Sequence, residues 1–443
     1  MPGAKDATEM KGAGRVILKG GRVVDPVAGI DEVRDVLIEE GVIRRVERSI
    51  SPEKGDVVRN CDGLIVAPGF IDMHVHLREP GREDKETIET GGRAAAAGGF
   101  TAVACMPNTD PVNDDQSVTE FIVAQARRRS PVKVYPIGAI TKGLKGEELS
   151  EVGELVRVGC VGLSDDGVPV ASAFVMRKAL EYARMFDIPV INHAQDLSLS
   201  NGGVMHEGFH STVLGLKGIS AAAEEVMIYR DILLAEMTGS RLHVPHISTA
   251  RAVDLVRAAK ARGVNVTCEA TPHHFTLTDE AVCGYDTSTK MNPPLRPEED
   301  RDAIIAGIAD GTIDAIASDH APHCTEEKEV EYDIAPFGVV GLETSVALGL
   351  DRLVAADHID LKRFVEIYST APARILNVPG GSLSPGVAAD VSIFSTTLET
   401  RVDPARFRSK GRNTPFVGWA LKGAAMMTIV NGAIVHERET AAG

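Results

Sequence analysis

Eight short apolar runs, most separated by amphipathic and alanine-rich helical patterns, fill the middle of the chain. They read GFIDMHVHL, TAVACMPN, VKVYPIGAI, CVGLSD, IPVINHAQ, RLHVPHIS, NVTCEATPHH and DAIASDHAP, with stretches such as KETIETGGRAAAAG and ARAVDLVRAAKARG between them. Strands apolar on both faces suit a parallel sheet covered by helices. Eight such units across residues 67–379 predict an α/β fold of the TIM type, a (β/α)8 barrel. A doubly wound open sheet is the rival, but no Gly-rich phosphate fingerprint follows the first run.

The flanks follow a different rhythm. Residues 1–66 include RVILKGGRVVDPVAGIDEVRDVLIEEGVIRRVER, and residues 380–443 include GGSLSPGVAADVSIFSTT and MMTIVNGAIVHER. Alternation punctuated by glycine signals strands and hairpins. The two ends are expected to join in one small β-sandwich-like domain, with residues 1–14 a flexible tail.

A (β/α)8 barrel places reactive side chains at the C-terminal ends of its strands. His74 and His76 end the first run, and their i, i+2 spacing puts both imidazoles on one face of a strand. Asp165 and Asp166 end the fourth run, His193 the fifth, His246 the sixth and Asp319 the eighth. One histidine in an apolar strand is ordinarily a packed core residue. Four histidines and several acids at the same end of separate strands point instead to a metal site. Imidazole and carboxylate without thiolate suit zinc, with manganese or cobalt as substitutes. The donors suffice for two ions, which need a carboxylate between them. No lysine lies between Lys145 and Lys178, so a carboxylated lysine is not expected near the fourth run. Alternation turns only one of Asp165 and Asp166 inward.

Other features narrow the classes. A formal charge of −16 argues against a general nucleic-acid binder, and no stretch is long and apolar enough to span a membrane. Six cysteines without a Cys-x-x-Cys pair predict reduced, buried thiols and a cytoplasmic protein. His206-Glu207-Gly208-Phe209-His210 matches the zinc-protease pattern H-E-x-x-H, which requires both histidines on one helix. The internal glycine and the preceding SLSNGGVM favour a loop there.

With these residues assembled, the chain resembles the amidohydrolase superfamily, and within it the class I, bacterial-type dihydroorotases. The resemblance runs from PGFIDMHVHLREPG at 68–81 to GGSLSPGVAAD near the end, through MPNT, TKGLKGEEL, MNPPLR and SDHAPH. It implies reversible cyclisation of N-carbamoyl-L-aspartate to L-dihydroorotate, a step of pyrimidine synthesis. It further implies two zinc ions per subunit, one on His74, His76 and Asp319, the other on His193 and His246. By its place in the SDDG stretch Asp166 would bridge them together with a hydroxide, and Asp165 would face away to cap the loop. Asp319 would act as general base and then acid. Arg78, Asn108 and His323 are implied as partners of the substrate carboxylate, and Asn292 with the backbone of Phe337 and Gly338 as contacts to its amide edges. His273, His274 and His320 have no matching role and are expected to pack. The acidic stretch 324–338 is expected to be a solvated loop and a candidate lid. The resemblance also implies a homo-oligomer, and some relatives associate with aspartate transcarbamoylase. Two alternatives stand beside this reading: another cyclic-amide hydrolase such as a dihydropyrimidinase or allantoinase, and an inactive scaffold for that transcarbamoylase.

Overall fold

All eight runs form strands in a computed structural model that describes residues 14–439. In order they are Phe70–Val75, Phe100–Cys105, Lys133–Pro136, Leu163–Ser164, Val190–Ile191, Leu242–Val244, Val266–Ala270 and Ala315–Ile316. Each pairs in parallel with the next, giving one sheet of three strands and one of five. Parallel bridges at Gly138–Leu163 and Val75–His320 join the two sheets at both seams, so the ring closes. At the second seam the His76 N–H donates to the His320 carbonyl at 2.8 Å.

The helices between strands form where the sequence offers caps and an apolar stripe. Thr87 and Thr90 make a capping box at the start of Ile88–Gly98, and Gly99 ends that helix at φ 95°. A Cβ on Gly99 would also lie 3.1 Å from the Cβ of Ala425, so the close approach reinforces the need for glycine. Helix Ala250–Ala261 is capped by Thr249 and buries Ala252, Val253, Val256 and Ala259, one face of a 3.6-residue period. One apolar cluster joins Ile71 and Met73 of the first strand to Ile191 of the fifth and to helix Ala371–Leu376. The first and fifth strands stand opposite each other in an eight-stranded ring, so this cluster fills the lumen. The metal-ligand candidates sit above a packed core.

The flanking segments build a single eight-stranded sheet from both ends of the chain. Ile65–Pro68 pairs antiparallel with Val391–Arg401, and Val16–Asp25 lies beside it in parallel. Val16, Val36, Ile43, Val391 and Ile429 share its core, so the two ends are bound by common burial as well as by the ladder. Four cysteines are buried as expected, but Cys283 is exposed and Cys324 half-exposed. Both lie in segments outside the barrel strands, where no apolar period buries them. The expected tail falls almost wholly outside the described residues.

Candidate metal centre

Six donors from five different strand ends converge in the barrel mouth. His74, His76 and Asp319 offer atoms within 4.8 Å of one another, and so do His74, Asp166 and His246. Asp166 faces both sides of the cluster. Its Oδ1 lies 3.3 Å from His74 Nε2, 3.7 Å from His246 Nε2 and 3.8 Å from His193 Nδ1. Its Oδ2 lies 3.4 Å from His76 Nε2, and Asp319 Oδ1 is 3.2 Å from the same nitrogen. His193 Nδ1 and His246 Nε2 are 3.0 Å apart. Asp165 turns the other way. Its Oδ1 accepts from the backbone N–H groups of Ile140 (2.7 Å) and Thr141 (3.0 Å), and its Oδ2 from the Thr141 hydroxyl.

Buried polar atoms left without partners are costly, and His74 Nε2 is such an atom, aimed into the cluster. Four imidazoles and two carboxylates without thiolate fit hard or borderline divalent ions. The outward ring nitrogens of His74, His76 and His193 are fixed from behind, as metal-ligating histidines require, whereas His246 Nδ1 is buried without a partner. His74 Nδ1 donates to Glu269 Oε1 at 2.9 Å, and His76 Nδ1 to Asn108 Oδ1 at 2.9 Å. His193 Nε2 donates to Gln195 Oε1 at 3.1 Å, leaving its Nδ1 lone pair for the cluster.

Electrostatics hold the two carboxylates and His193 in their ligating forms. At His74 burial is outweighed by Asp166, Glu269 and Asp319, which push it well up, so a bound cation would displace its proton. Burial alone would raise the carboxyls of Asp166 and Asp319, but the surrounding imidazoles outweigh it and hold both well below the usual range. Burial, and then the nearby His246, bring His193 down to about 4, so its imidazole is neutral. Glu269 is likewise held down to about 2: burial opposes ionisation, and hydrogen bonds from His243 and His74 overcome it. Asp165 moves up to about 6 through burial, despite its bonds to Thr141 and Ile140. Arg78, His246 and Asp319 all hold left-handed backbone, at φ 61°, 36° and 47°. Such geometry costs about 1–3 kcal/mol for each non-glycine residue and is held by the surrounding fold.

The remaining site candidates lie around this cluster, several of them already engaged. Arg78 donates from Nε to the Pro322 carbonyl at 3.3 Å and feels Asp319 and Asp166 as its strongest charged neighbours. Asn108 spends its carbonyl oxygen on His76, so its amide nitrogen is the atom left for a ligand. Asn292 donates to Gln195 at 2.7 Å, on the far side of His193. His323 contacts the Phe337 carbonyl (2.9 Å) and Glu327 (3.1 Å), so both ring nitrogens face protein groups. The Gly338 N–H donates to the Lys290 carbonyl at 2.9 Å.

Several local expectations need correction. A helix does form at the H-E-x-x-H stretch, Phe209–Leu214, but it begins after Gly208 and excludes His206. His206 is buried against Arg296 at 3.1 Å, while His210 lies 3.3 Å from Cys283 Sγ, so the two histidines do not stand on one helix as the zinc-protease pattern requires. Stretch 324–338 is not simply solvated: Lys328, Tyr332 and Ala335 are buried, and Lys328 donates to the carbonyls of Thr287 and Pro336. His274 and His320 do pack, on Thr271 and Pro293 and on Glu86 respectively. His273, with an unpartnered and buried Nε2, feels Asp319, His246 and His74 and so borders the site. Glu269 and Gln195 escaped sequence reasoning. A glutamate inside NVTCEATPHH reads as one solvent-facing position of an alternating strand, and only its burial distinguishes it.

Glu269→Gln keeps the shape but weakens the acceptor behind His74. Its metal affinity or turnover should fall roughly 10–100-fold, as for other partners behind metal ligands, which titration of the metal-free protein would measure.

The barrel and its donor set are those of a protein built to hold divalent ions at the mouth of a (β/α)8 ring. The L-hydantoinase (dihydropyrimidinase) of Arthrobacter aurescens matches this fold with a TM-score of 0.87 at 26% identity, covering 97% of both chains. The dihydropyrimidinase of Brevibacillus agri matches with a TM-score of 0.81 at 21% identity, over 95% of this chain and 94% of its own. A family model described as dihydro-orotase-like matches residues 63–252. The dihydroorotase of Pelotomaculum thermopropionicum is 59% identical over 423 residues, covering 96% of this chain and 99% of its own. That of Geobacter sp. strain M21 is 53% identical over 422 residues, covering 95% and 99%. The chain belongs to the dihydroorotase family.

Proposed function

We propose that this enzyme interconverts N-carbamoyl-L-aspartate and L-dihydroorotate, using two zinc ions held by His74, His76, Asp166, His193, His246 and Asp319. The observation that carries this reading is a guanidinium, Arg78, beside the two metal-site carboxylates. A ring bearing a carboxylate needs such a fork, and an uncharged dihydrouracil or hydantoin ring does not. Two divalent ions held by these residues would supply an acidified water and polarisation of the ring carbonyl.

The chain's own groups do the rest. Asp166, with one oxygen toward each side, holds the two halves of the donor set together. Asp319 is kept ionised by its imidazole neighbours and so is ready to take the proton of the attacking water. In the hydrolytic direction it returns that proton to the departing ring nitrogen. In the biosynthetic direction it first removes the carbamoyl nitrogen's proton. Arg78 and the Asn108 amide nitrogen grip the substrate carboxylate. Asn292, and the backbone at Phe337 and Gly338, border the amide edges. His323 joins the carboxylate contacts by releasing Phe337 or Glu327.

Steady-state rates with dihydroorotate and dihydrouracil test the substrate assignment. Wild type should turn over dihydroorotate and leave dihydrouracil nearly untouched. Arg78→Leu removes a charge-assisted contact worth about 1.5–3 kcal/mol, so kcat/KM for dihydroorotate should fall at least ~10-fold. Preference for dihydrouracil in wild type would overturn the assignment.

The enzyme acts in the cytoplasm as a homo-oligomer in this reading. Its six cysteines are free, and no helix among the described residues is long and apolar enough to cross a membrane. Val226, Tyr229, Leu233 and Met237 form one outer stripe of helix Ala221–Thr238, each about half exposed. An apolar stripe of that kind marks an interaction surface. Leu233→Glu should convert the oligomer to monomer in sedimentation velocity. An unchanged sedimentation coefficient would place the interface elsewhere.

A further inference from the structure

A chain with a formal charge of −16 carries one strongly basic region far from its metal centre. Two adjoining cavities of about 860 and 460 Å3 lie between outer barrel helices and the C-terminal strands. Both volumes fall in the ~300–1,000 Å3 range of small-molecule sites. Phe407, Arg408 and His436 line both cavities. Arg93, Arg127, Arg128 and Arg129 line the larger, while Arg401, Arg406 and Arg438 line the smaller.

Helix geometry accounts for part of this. Arg127, Arg128 and Arg129 end helix Gln116–Arg129, where cations complement the helix dipole. It does not account for the arginines that the 401–438 segment brings to the same place. Three of the four acids lining the smaller cavity are committed elsewhere; the fourth, Glu439, is exposed next to Arg438 in the chain. Glu343 accepts from the backbone N–H groups of Arg408 (2.8 Å) and Ser409 (3.1 Å). Asp403 caps Ala405 at 3.0 Å, Glu437 lies 3.7 Å from Arg59, and Glu89 holds Arg93 at 2.6 Å. Among the described residues, no carboxylate lies within 4.0 Å of the guanidinium of Arg127, Arg128, Arg129, Arg401, Arg406 or Arg408. Burial, and then Arg408 and Arg438, depress His436, and burial with Arg406 depresses Arg438. The cations therefore repel one another across the shared wall.

Unpaired guanidinium forks suit phosphate oxygens, which they can bind bidentately. Phe407, half-buried on the shared wall, offers a flat face on which a base could stack. We propose that these joined cavities bind a small polyphosphorylated molecule, with Arg128 on one side and Arg408 on the other contributing to its phosphates. A nucleoside triphosphate and an inorganic oligophosphate share this chemistry. Ser130 and Pro131 line the larger cavity and lead into the N-terminal end of the third barrel strand. The site thus opens on the face opposite the metal centre, and its occupancy does not depend on turnover.

Isothermal titration of the full-length, zinc-loaded protein with sodium tripolyphosphate and with ATP tests the proposal. Magnesium is kept in excess so that neither probe strips the barrel of metal. Both probes should bind with one site per chain, more weakly as salt rises. The R128E/R408E variant should lose at least tenfold in affinity. A charge-matched control, R177E/R251E, alters exposed arginines elsewhere that already pair with Glu181 and Glu225, and should bind as wild type does. If R128E/R408E does not fold, R129Q/R406Q makes the same comparison. ATP binding tighter than tripolyphosphate, with the advantage lost in F407A, identifies a nucleotide; equal affinities identify the oligophosphate alone. No binding of either probe, equal weakening by both double variants, or binding of polyglutamate in place of both probes would overturn the proposal.

Discussion

Asp166→Ala is expected to leave a folded barrel that binds less zinc and turns over dihydroorotate at a small fraction of the wild-type rate. Among the described residues, Asp166 is the one carboxylate with an oxygen toward His74, His193 and His246 and the other toward His76. Alanine removes both contacts and leaves the four imidazoles without the negative charge that draws two cations together. A metal pair supplies several kcal/mol of transition-state stabilisation, so its loss should cost at least about 10³-fold in kcat/KM. The neighbouring substitution sharpens the comparison. Asp165→Ala strips acceptors from Ile140 and Thr141 and should reduce stability, while bound zinc stays near wild type. Metal analysis paired with thermal melting separates the two outcomes. Full zinc and full turnover in Asp166→Ala would contradict the bridging role.

Asp319→Asn is the second large effect. The amide keeps the shape and can still offer an oxygen toward His76, but it cannot accept and return a proton. General acid–base catalysis is worth about 10²–10⁴-fold, so kcat should fall by at least ~10²-fold in both directions of the reaction. KM should change less than kcat, because the carboxylate-gripping groups are untouched. A metal content near wild type with a collapsed kcat would mark Asp319 as the proton carrier. If kcat were preserved and only KM rose, another group would be moving the proton.

Much of this architecture was legible in the sequence because two periodicities coincide. Runs apolar on both faces mark parallel barrel strands, and a barrel requires reactive groups at one end of them. His74, His76, His193, His246 and Asp319 therefore declared themselves by position, before any distance was known. The choice between Asp165 and Asp166 was less legible. Alternation shows that two adjacent aspartates point apart, but the direction of the pair depends on how a two-residue strand, Leu163–Ser164, sits in the ring. Burial inverts ordinary expectation at Glu269, where a charge in a strand normally faces water but here turns inward to hold His74. The 324–338 segment misled for a related reason. Its acidic composition suggests solvent, yet Lys328 is buried by spending its N–H groups on backbone carbonyls, and Tyr332 packs with Val204, Met205 and Val282. At the H-E-x-x-H stretch the internal glycine pointed to a loop, yet a helix starts just after Gly208 and leaves His206 outside it.

Anomalous diffraction from zinc-loaded crystals, collected on both sides of the zinc absorption edge, would locate the ions against the six donors. Two anomalous peaks are predicted, one among His74, His76 and Asp319 and the other beside His193 and His246, with Asp166 reaching both. A single peak, or a carboxylated lysine standing between two peaks in place of Asp166, would contradict it.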